Sequence, residues 1–280
     1  MNLIQAILMG IVQGLSEFLP ISSSAHLVFT SNFYKVFKGI EIVQQSNEEV
    51  FFDIMVHLGT LIAVLIFFRK DIWEICKALF NAIKTKDWTD SKAKMGVYII
   101  IGTILTIVLA LPINEVAEKL VFRPDIVGVL LFITGVVLLL SERFSKSVKA
   151  KTSEVSLKTS ILIGLAQGLA ALPGFSRSGW TIATGLFNGM DRTSAARYSF
   201  LLSIPIILGA SMVYPLVKID IHEAVTYNWL AIGAGTIVSG IVGYLCIKYF
   251  MKFVSKFSLG FFGYYCLVMG LVTAVFFALN

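Results

Sequence analysis

The chain has 280 residues, 57% of them hydrophobic and 14% charged, against about 45–50% apolar and about 25% charged in an ordinary soluble domain. The apolar residues come in long blocks with the charges between them, which excludes a soluble fold with a rich core and makes lipid the solvent for most of the surface. The net charge of +6 sits on Lys and Arg residues beside apolar blocks, without a basic stripe interleaved with aromatics, so nucleic acid is excluded as a partner and lipid headgroups are expected instead.

The first stretch, residues 3–30, is apolar but broken by Gln13, Glu17, Pro20 and the run Ser22-Ser23-Ser24. A simple spanning helix does not carry that polar load at mid-depth. A helix, a break and a second helix do, provided the break is buried in protein or lines a cavity. This predicts a re-entrant hairpin. Its first Lys or Arg is Lys35, so the positive n-region of a cleavable signal peptide is not expected. Three spans follow, over Phe51–Phe68, Met95–Leu111 and Ile126–Leu140. The third is shorter than the usual minimum of about 17 residues and needs its flanks. The charged stretch from Arg69 to Lys94 is expected to be a loop.

The same plan then recurs. Residues 160–190 are apolar but broken by Gln167, Pro173, Gly174, Ser176, Arg177 and Ser178, and spans follow over Tyr198–Val217, Trp229–Ile247 and Ser258–Ala278. GIVQGLSEFLPISSSAH from Gly10 and GLAQGLAALPGFSRSGW from Gly164 share Gly-x-x-Gln-Gly-Leu, then Leu-Pro, then a serine cluster. The prediction is an all-α polytopic protein in one membrane domain, with six spans and two hairpins, as repeats over about 1–145 and 155–280. Of the 23 Lys and Arg residues, 17 fall on one side of these spans, which makes that side cytoplasmic and both termini external. Three spans per repeat invert the second copy, so the hairpins enter from opposite faces and meet near the midplane.

Glu17 is then a buried ionisable group, either fixing the hairpin or acting on a ligand. Gln13 lies four residues earlier on the same helical face, so the pair offers oxygens to a divalent cation or a substrate proton. Pro20 is expected to end the first helix, and Ser22, Ser23 and Ser24 to begin the second, as simple caps or as part of an anion site. His26 is placed to reach the hydroxyl of Ser22 or Ser23, as base or nucleophile. Arg177, flanked by Ser176 and Ser178 with Thr181 one turn on, suits a phosphate, or neutralises Glu17. Asp53 and His57 are expected at the membrane interface and His222 in a solvated outer loop. Cys76, Cys246 and Cys266 lie far apart and act as small apolar side chains, not as a disulfide or zinc framework.

Gln13-Gly-Leu-Ser-Glu17-Phe-Leu-Pro-Ile-Ser-Ser-Ser-Ala-His26 resembles the first signature of the bacterial undecaprenyl-diphosphatase family, the bacitracin-resistance proteins. Pro173-Gly-Phe-Ser-Arg177-Ser-Gly-Trp-Thr181 is similar to its second, and the resemblance extends over the whole chain. It implies hydrolysis of undecaprenyl diphosphate to undecaprenyl phosphate and phosphate, which recycles the lipid carrier of peptidoglycan precursors in the bacterial plasma membrane. It also implies a divalent cation, Mg²⁺ or Ca²⁺, held by Glu17 and Gln13. Glu17, Ser23, His26 and Arg177 fall on the family's catalytic positions, with Ser22, Ser24, Ser176, Ser178 and Thr181 around the phosphates. Gln13 stands where Glu is common, and Ala25 where Gly is common. Ser23 with His26 as base, His26 itself, or water remain open as nucleophile. The site is expected to open to the outer side, and a homodimer is left open. Inverted repeats with broken helices also suit a lipid-phosphate flippase or an ion-coupled transporter.

Overall fold

The computed structural model describes residues 1–37, 46–148, 150–218 and 225–279. Among these, eleven helices follow in order: α1 (Leu3–Ser16), α2 (Ser23–Phe37), α3 (Asn47–Phe67), α4 (Arg69–Thr85), α5 (Ser91–Leu120), α6 (Pro124–Ser147), α7 (Leu157–Leu169), α8 (Arg177–Phe187), α9 (Arg192–Lys218), α10 (Trp229–Val254) and α11 (Gly260–Leu279). His222 lies outside the described residues.

Six of these helices, α3, α5, α6, α9, α10 and α11, are long and apolar enough to cross a membrane. At 1.5 Å per residue the shortest, with 20 residues, spans about 30 Å, the thickness of the hydrocarbon layer. The protein is a multi-pass, all-α membrane protein. The short apolar block over Ile126–Leu140 acquires its flanks: Pro124 opens α6 and the helix runs 24 residues. Local signals set other starts. Ser46 and Glu49 form a reciprocal capping box on α3, and Asp90 caps α5 through the N–H groups of Lys92 and Ala93.

The stretch 69–94 departs from expectation, because much of it is α4 rather than loop. Ile72, Ile75, Leu79 and Ala82 recur at helical spacing; Ile75 and Ala82 are buried, and Leu79 lies against Gly96 of α5. The charge of the segment masked this apolar stripe.

The short helices pack on spans from the other half of the chain. Helix α1 lies along α10, and α7 lies along α5. Both contacts use glycine for close backbone approach. A Cβ on Gly10 would sit 2.5 Å from the Gly235 carbonyl oxygen, and one on Gly164 would sit 2.6 Å from that of Gly102. In membranes, where burial of apolar surface gives little drive, such small-residue contacts and interhelical hydrogen bonds hold helices together. Thr106 Oγ1 donates to the Gly164 carbonyl at 3.0 Å, and Ser239 Oγ to that of Val56 at 2.8 Å. Helices α3 and α9 pack between these pairs, and α6 pairs with α11. The result brings the tip between α1 and α2 against the tip between α7 and α8.

Candidate active site

Helix α1 ends at Ser16, three residues before Leu19-Pro20, and Glu17 is its C-cap. The Glu17 N–H still donates to the Gln13 carbonyl at 2.9 Å, so its side chain stays on the face of Gln13. The carboxylate is buried and both its oxygens are bonded. Oε2 accepts from Gln13 Nε2 at 2.9 Å and from Ser23 Oγ at 2.7 Å, and Oε1 accepts from Arg177 Nη2. A carboxylate at this depth is tolerable only with such partners.

Ser23 reaches Glu17 because the chain reverses at Ser22, whose φ of 70° is a left-handed value that a non-glycine residue rarely adopts. The Ser22 hydroxyl caps α2 by accepting from the Ala25 N–H at 3.3 Å, and lies 3.1 Å from Ser24 Oγ. Arg177 opens α8, with Ser176 as N-cap accepting from the Gly179 N–H. The tip before it turns at Gly174, where φ is 101° and a Cβ would sit 2.5 Å from the Val127 carbonyl oxygen. Thr134 of α6 holds this tip. Its hydroxyl donates to the Gly174 carbonyl and accepts from the Ser176 N–H and Trp180 Nε1. Ser178 Oγ ties the tips together by donating to the Leu19 carbonyl at 3.0 Å.

Glu17, Ser23 and Arg177 therefore converge. Three other expectations need correction. His26 makes no hydrogen bond to the hydroxyl of Ser22 or Ser23. Its Nδ1 lies 2.8 Å from the Ser22 carbonyl and its Nε2 lies 2.7 Å from the Tyr265 hydroxyl, on which the ring also stacks. A carbonyl accepts only, so Nδ1 carries a hydrogen, and in the neutral ring Nε2 accepts from Tyr265. Helical spacing allowed the serine contact, but Ser22 and Ser23 turn their hydroxyls elsewhere. Thr181 is fully buried and bonds to the Arg177 carbonyl and to Ser199 Oγ at 2.6 Å, so it joins α8 to α9. His57 is not merely interfacial: its Nε2 lies 3.6 Å from Glu17 Oε2, while Nδ1 lies 2.7 Å from the Asp53 carbonyl. Its distance along the chain from both motifs hid it, as it hid Thr134 and Tyr265.

Two buried polar atoms at this site have no protein partner: Arg177 Nη1 and Gln13 Oε1. Buried polar groups are nearly always bonded, so each is open to an atom of water or of a ligand. The first is a cationic donor for an anion's oxygen. The second is a neutral oxygen beside the Glu17 carboxylate. Among the described residues no three His, Cys, Asp or Glu side chains cluster as a metal cage. One carboxylate and one amide oxygen do suit a hard divalent ion that takes its other ligands from substrate phosphate and water, as Mg²⁺ commonly does.

Residues 6–272 match the family described as bacitracin resistance protein BacA. The chain is 43% identical to an undecaprenyl-diphosphatase of Methanobrevibacter smithii, over 97% of this chain and 96% of that one. It is 37% identical to an undecaprenyl-diphosphatase of Teredinibacter turnerae, over 97% and 98%, and 36% identical to undecaprenyl-diphosphatase 1 of Pseudoalteromonas translucida, over the full length of both. With a match of that extent and a site assembled from both signatures, the chain belongs to the bacitracin resistance protein BacA family.

Proposed function

We propose that the protein hydrolyses undecaprenyl diphosphate to undecaprenyl phosphate and inorganic phosphate, and thereby recycles a lipid carrier and confers bacitracin resistance. One observation carries the reading: Ser23 is bonded to a carboxylate whose other oxygen holds Arg177, and Arg177 keeps Nη1 free. This is a nucleophile, its base and an anion clamp in one buried cluster. In the reaction, Arg177 Nη1 binds an oxygen of the terminal phosphate. Ser23 Oγ attacks that phosphorus and gives its proton to Glu17. The anhydride P–O bond breaks and undecaprenyl phosphate leaves. Water then attacks the phosphoserine phosphorus; the Oγ–P bond breaks, Glu17 returns its proton to Ser23 Oγ, and phosphate leaves with the proton given up by the water. His26, held by Ser22 and Tyr265, positions the start of α2. Glu17 and Gln13 would hold Mg²⁺ or Ca²⁺, which supplies charge neutralisation on the diphosphate when bound.

The exchange of packing partners, α1 on α10 and α7 on α5, supports two inverted repeats whose hairpins enter from opposite faces. The charge asymmetry supports a site opening to the outer side of the plasma membrane. Single cysteines in place of the exposed residues Val225 and Thr89, in a Cys76→Ala background, test this sidedness. Membrane-impermeant thiol reagent added outside should label the first and spare the second.

The test of the activity is phosphate release from undecaprenyl diphosphate in detergent micelles, with and without chelator. Micelles have no two compartments, so a transporter or flippase gives no signal. Turnover by the unmodified protein, lost with Arg177→Ala, supports the reading. Near-normal release by folded Arg177→Ala overturns it.

A further inference from the structure

The corner where α3 meets α4 carries both halves of a site for an amphiphile. Between α3 and α10, Ile62, Ile66, Ile237, Ile241 and Leu245 line an apolar groove of 510 Å³. At the α4 end a second cavity, of 480 Å³, opens among Arg69, Lys70, Asp71, Thr193, Arg197 and Met251. The two adjoin through Phe67, which lines the second cavity and whose ring lies 6.0 Å from that of Tyr244 in the groove.

The charges in the second cavity do not cancel. Asp71 is spent on Arg197 at 2.9 Å and on Lys92 at 3.8 Å. Neither Arg69 nor Lys70 has an acidic partner among the described residues. Arg69 Nη1 donates to the Ile66 carbonyl at 3.0 Å, which keeps its guanidinium at the mouth of the groove.

Helix α4 fixes the depth of this corner. Trp73, Phe80 and Ile83 are 71%, 68% and 66% exposed on one face, and Lys70, Lys77 and Lys84 recur every seven residues beside them. An apolar face bordered by lysines lies in the plane of the interface, with its apolar side chains below the headgroups. The basic cavity is thus at phosphate level and the groove runs from it into the hydrocarbon.

We propose that this corner binds an anionic phospholipid, with its phosphate on Arg69 and Lys70 and one acyl chain in the groove between α3 and α10. A zwitterionic headgroup would bring an ammonium against the same cations, and free phosphate would leave the groove unused.

The test is native mass spectrometry of the full-length protein in detergent, titrated with phosphatidylglycerol, phosphatidylcholine of the same acyl chains, and inorganic phosphate. Phosphatidylglycerol should be retained in preference to both. The double variant Arg69→Ala/Lys70→Ala should bind it about 25-fold more weakly, from the usual increment per basic residue beside anionic lipid. Ile241→Trp, which fills the groove, should also weaken it while leaving phosphate binding unchanged. Phosphate release from the lipid diphosphate should stay within about twofold in all variants, which shows that they are folded. If the alanine pair does not fold, Arg69→Gln/Lys70→Gln removes the charge and keeps the stems. Equal retention of phosphatidylcholine, unchanged phosphatidylglycerol binding by the charge variant, or displacement of phosphatidylglycerol by an equimolar polyprenyl monophosphate would each overturn the proposal.

Discussion

Arg177 and Glu17 form an ion pair across 160 residues of sequence, one at the start of α8 and the other at the end of α1. The pair joins the two tips and neutralises both charges where lipid surrounds the bundle. Glu17 also takes Ser23 on its other oxygen, and Arg177 keeps one nitrogen unbonded, the arrangement on which the proposed reaction rests. The arginine can bind a phosphate without releasing the carboxylate, because the guanidinium presents donors in a planar fork.

That fork is a specific requirement. Arg177→Lys preserves the charge but gives a single point donor, which cannot hold Glu17 and a phosphate oxygen in the same plane. We expect kcat/KM for phosphate release to fall by at least about 100-fold in Arg177→Lys and by about 1,000-fold or more in Arg177→Ala. The measurement is steady-state phosphate release from undecaprenyl diphosphate in micelles. A lysine variant within a fewfold of the unmodified protein would show that charge alone suffices.

The bonding of Ser23 and His26 separates their roles. Ser23→Ala removes the oxygen proposed to attack and should reduce turnover by several orders of magnitude. Tyr265→Phe removes the hydroxyl on His26 Nε2 and leaves Ser23 on Glu17, so it should cost no more than about tenfold. Rapid quench in acid should trap a phosphoenzyme that survives acid, as a phosphoserine does and a phosphohistidine does not. A phosphoenzyme seen on quenching in base but lost in acid would assign the nucleophile to His26, and an acid-stable one that persists in Ser23→Ala would assign it to another hydroxyl.

Much of this arrangement was legible in the sequence. Long apolar blocks gave the six spans, and Glu17 and Arg177 stood out because charge inside apolar runs is costly. What stayed hidden has a common cause. Thr134, His57 and Tyr265 come from ordinary-looking spans and reach the site only through packing; periodicity puts them on helices but says nothing of the neighbours they face. His26 failed for a different reason. Spacing on a helix gives which side chains are close, but a serine hydroxyl rotates freely and the backbone carbonyl of Ser22 was the stronger competitor. Helix α4 was obscured because its charges outweighed a four-residue apolar stripe.

The backbone contact of α7 with α5 should be intolerant of a single methyl group. In Gly164→Ala the new Cβ would meet the Gly102 carbonyl oxygen at 2.6 Å and its Cα at 2.8 Å, and neither is a flexible side-chain end. Overpacking of this kind typically costs about 1–3 kcal/mol. Because α7 leads to the Arg177 tip, the shift should also lower turnover. Gly209→Ala is the control, since nothing lies within 4 Å of the added carbon, and it should leave both properties unchanged. Thermal unfolding in detergent, with phosphate release on the same samples, reads both. Equal melting of the two variants would mean that the helices part without cost.

A second buried ion pair, remote from the chemistry in role, provides the contrast. Glu142 at the end of α6 is 4% exposed and takes Arg192 in a two-point bond, Nε to Oε1 at 2.8 Å and Nη2 to Oε2 at 2.6 Å. Its Oε1 also accepts from the Leu259 N–H at 2.9 Å, so one carboxylate ties the ends of α6, α9 and α11. Removing one partner strands a buried charge, which costs about 3–5 kcal/mol at full burial; Arg192 is partly exposed, so about 2–3 kcal/mol is expected for Arg192→Ala. Glu142→Ala should cost more, because the Leu259 N–H loses its acceptor as well. The double variant should be less destabilised than the sum of the two, since it leaves neither charge alone. Turnover per folded molecule should stay unchanged in all three, as none of these groups touches the Glu17 cluster. Additive losses would instead show that Glu142 and Arg192 act separately, and a fall in turnover at full folding would tie this end of the bundle to the reaction.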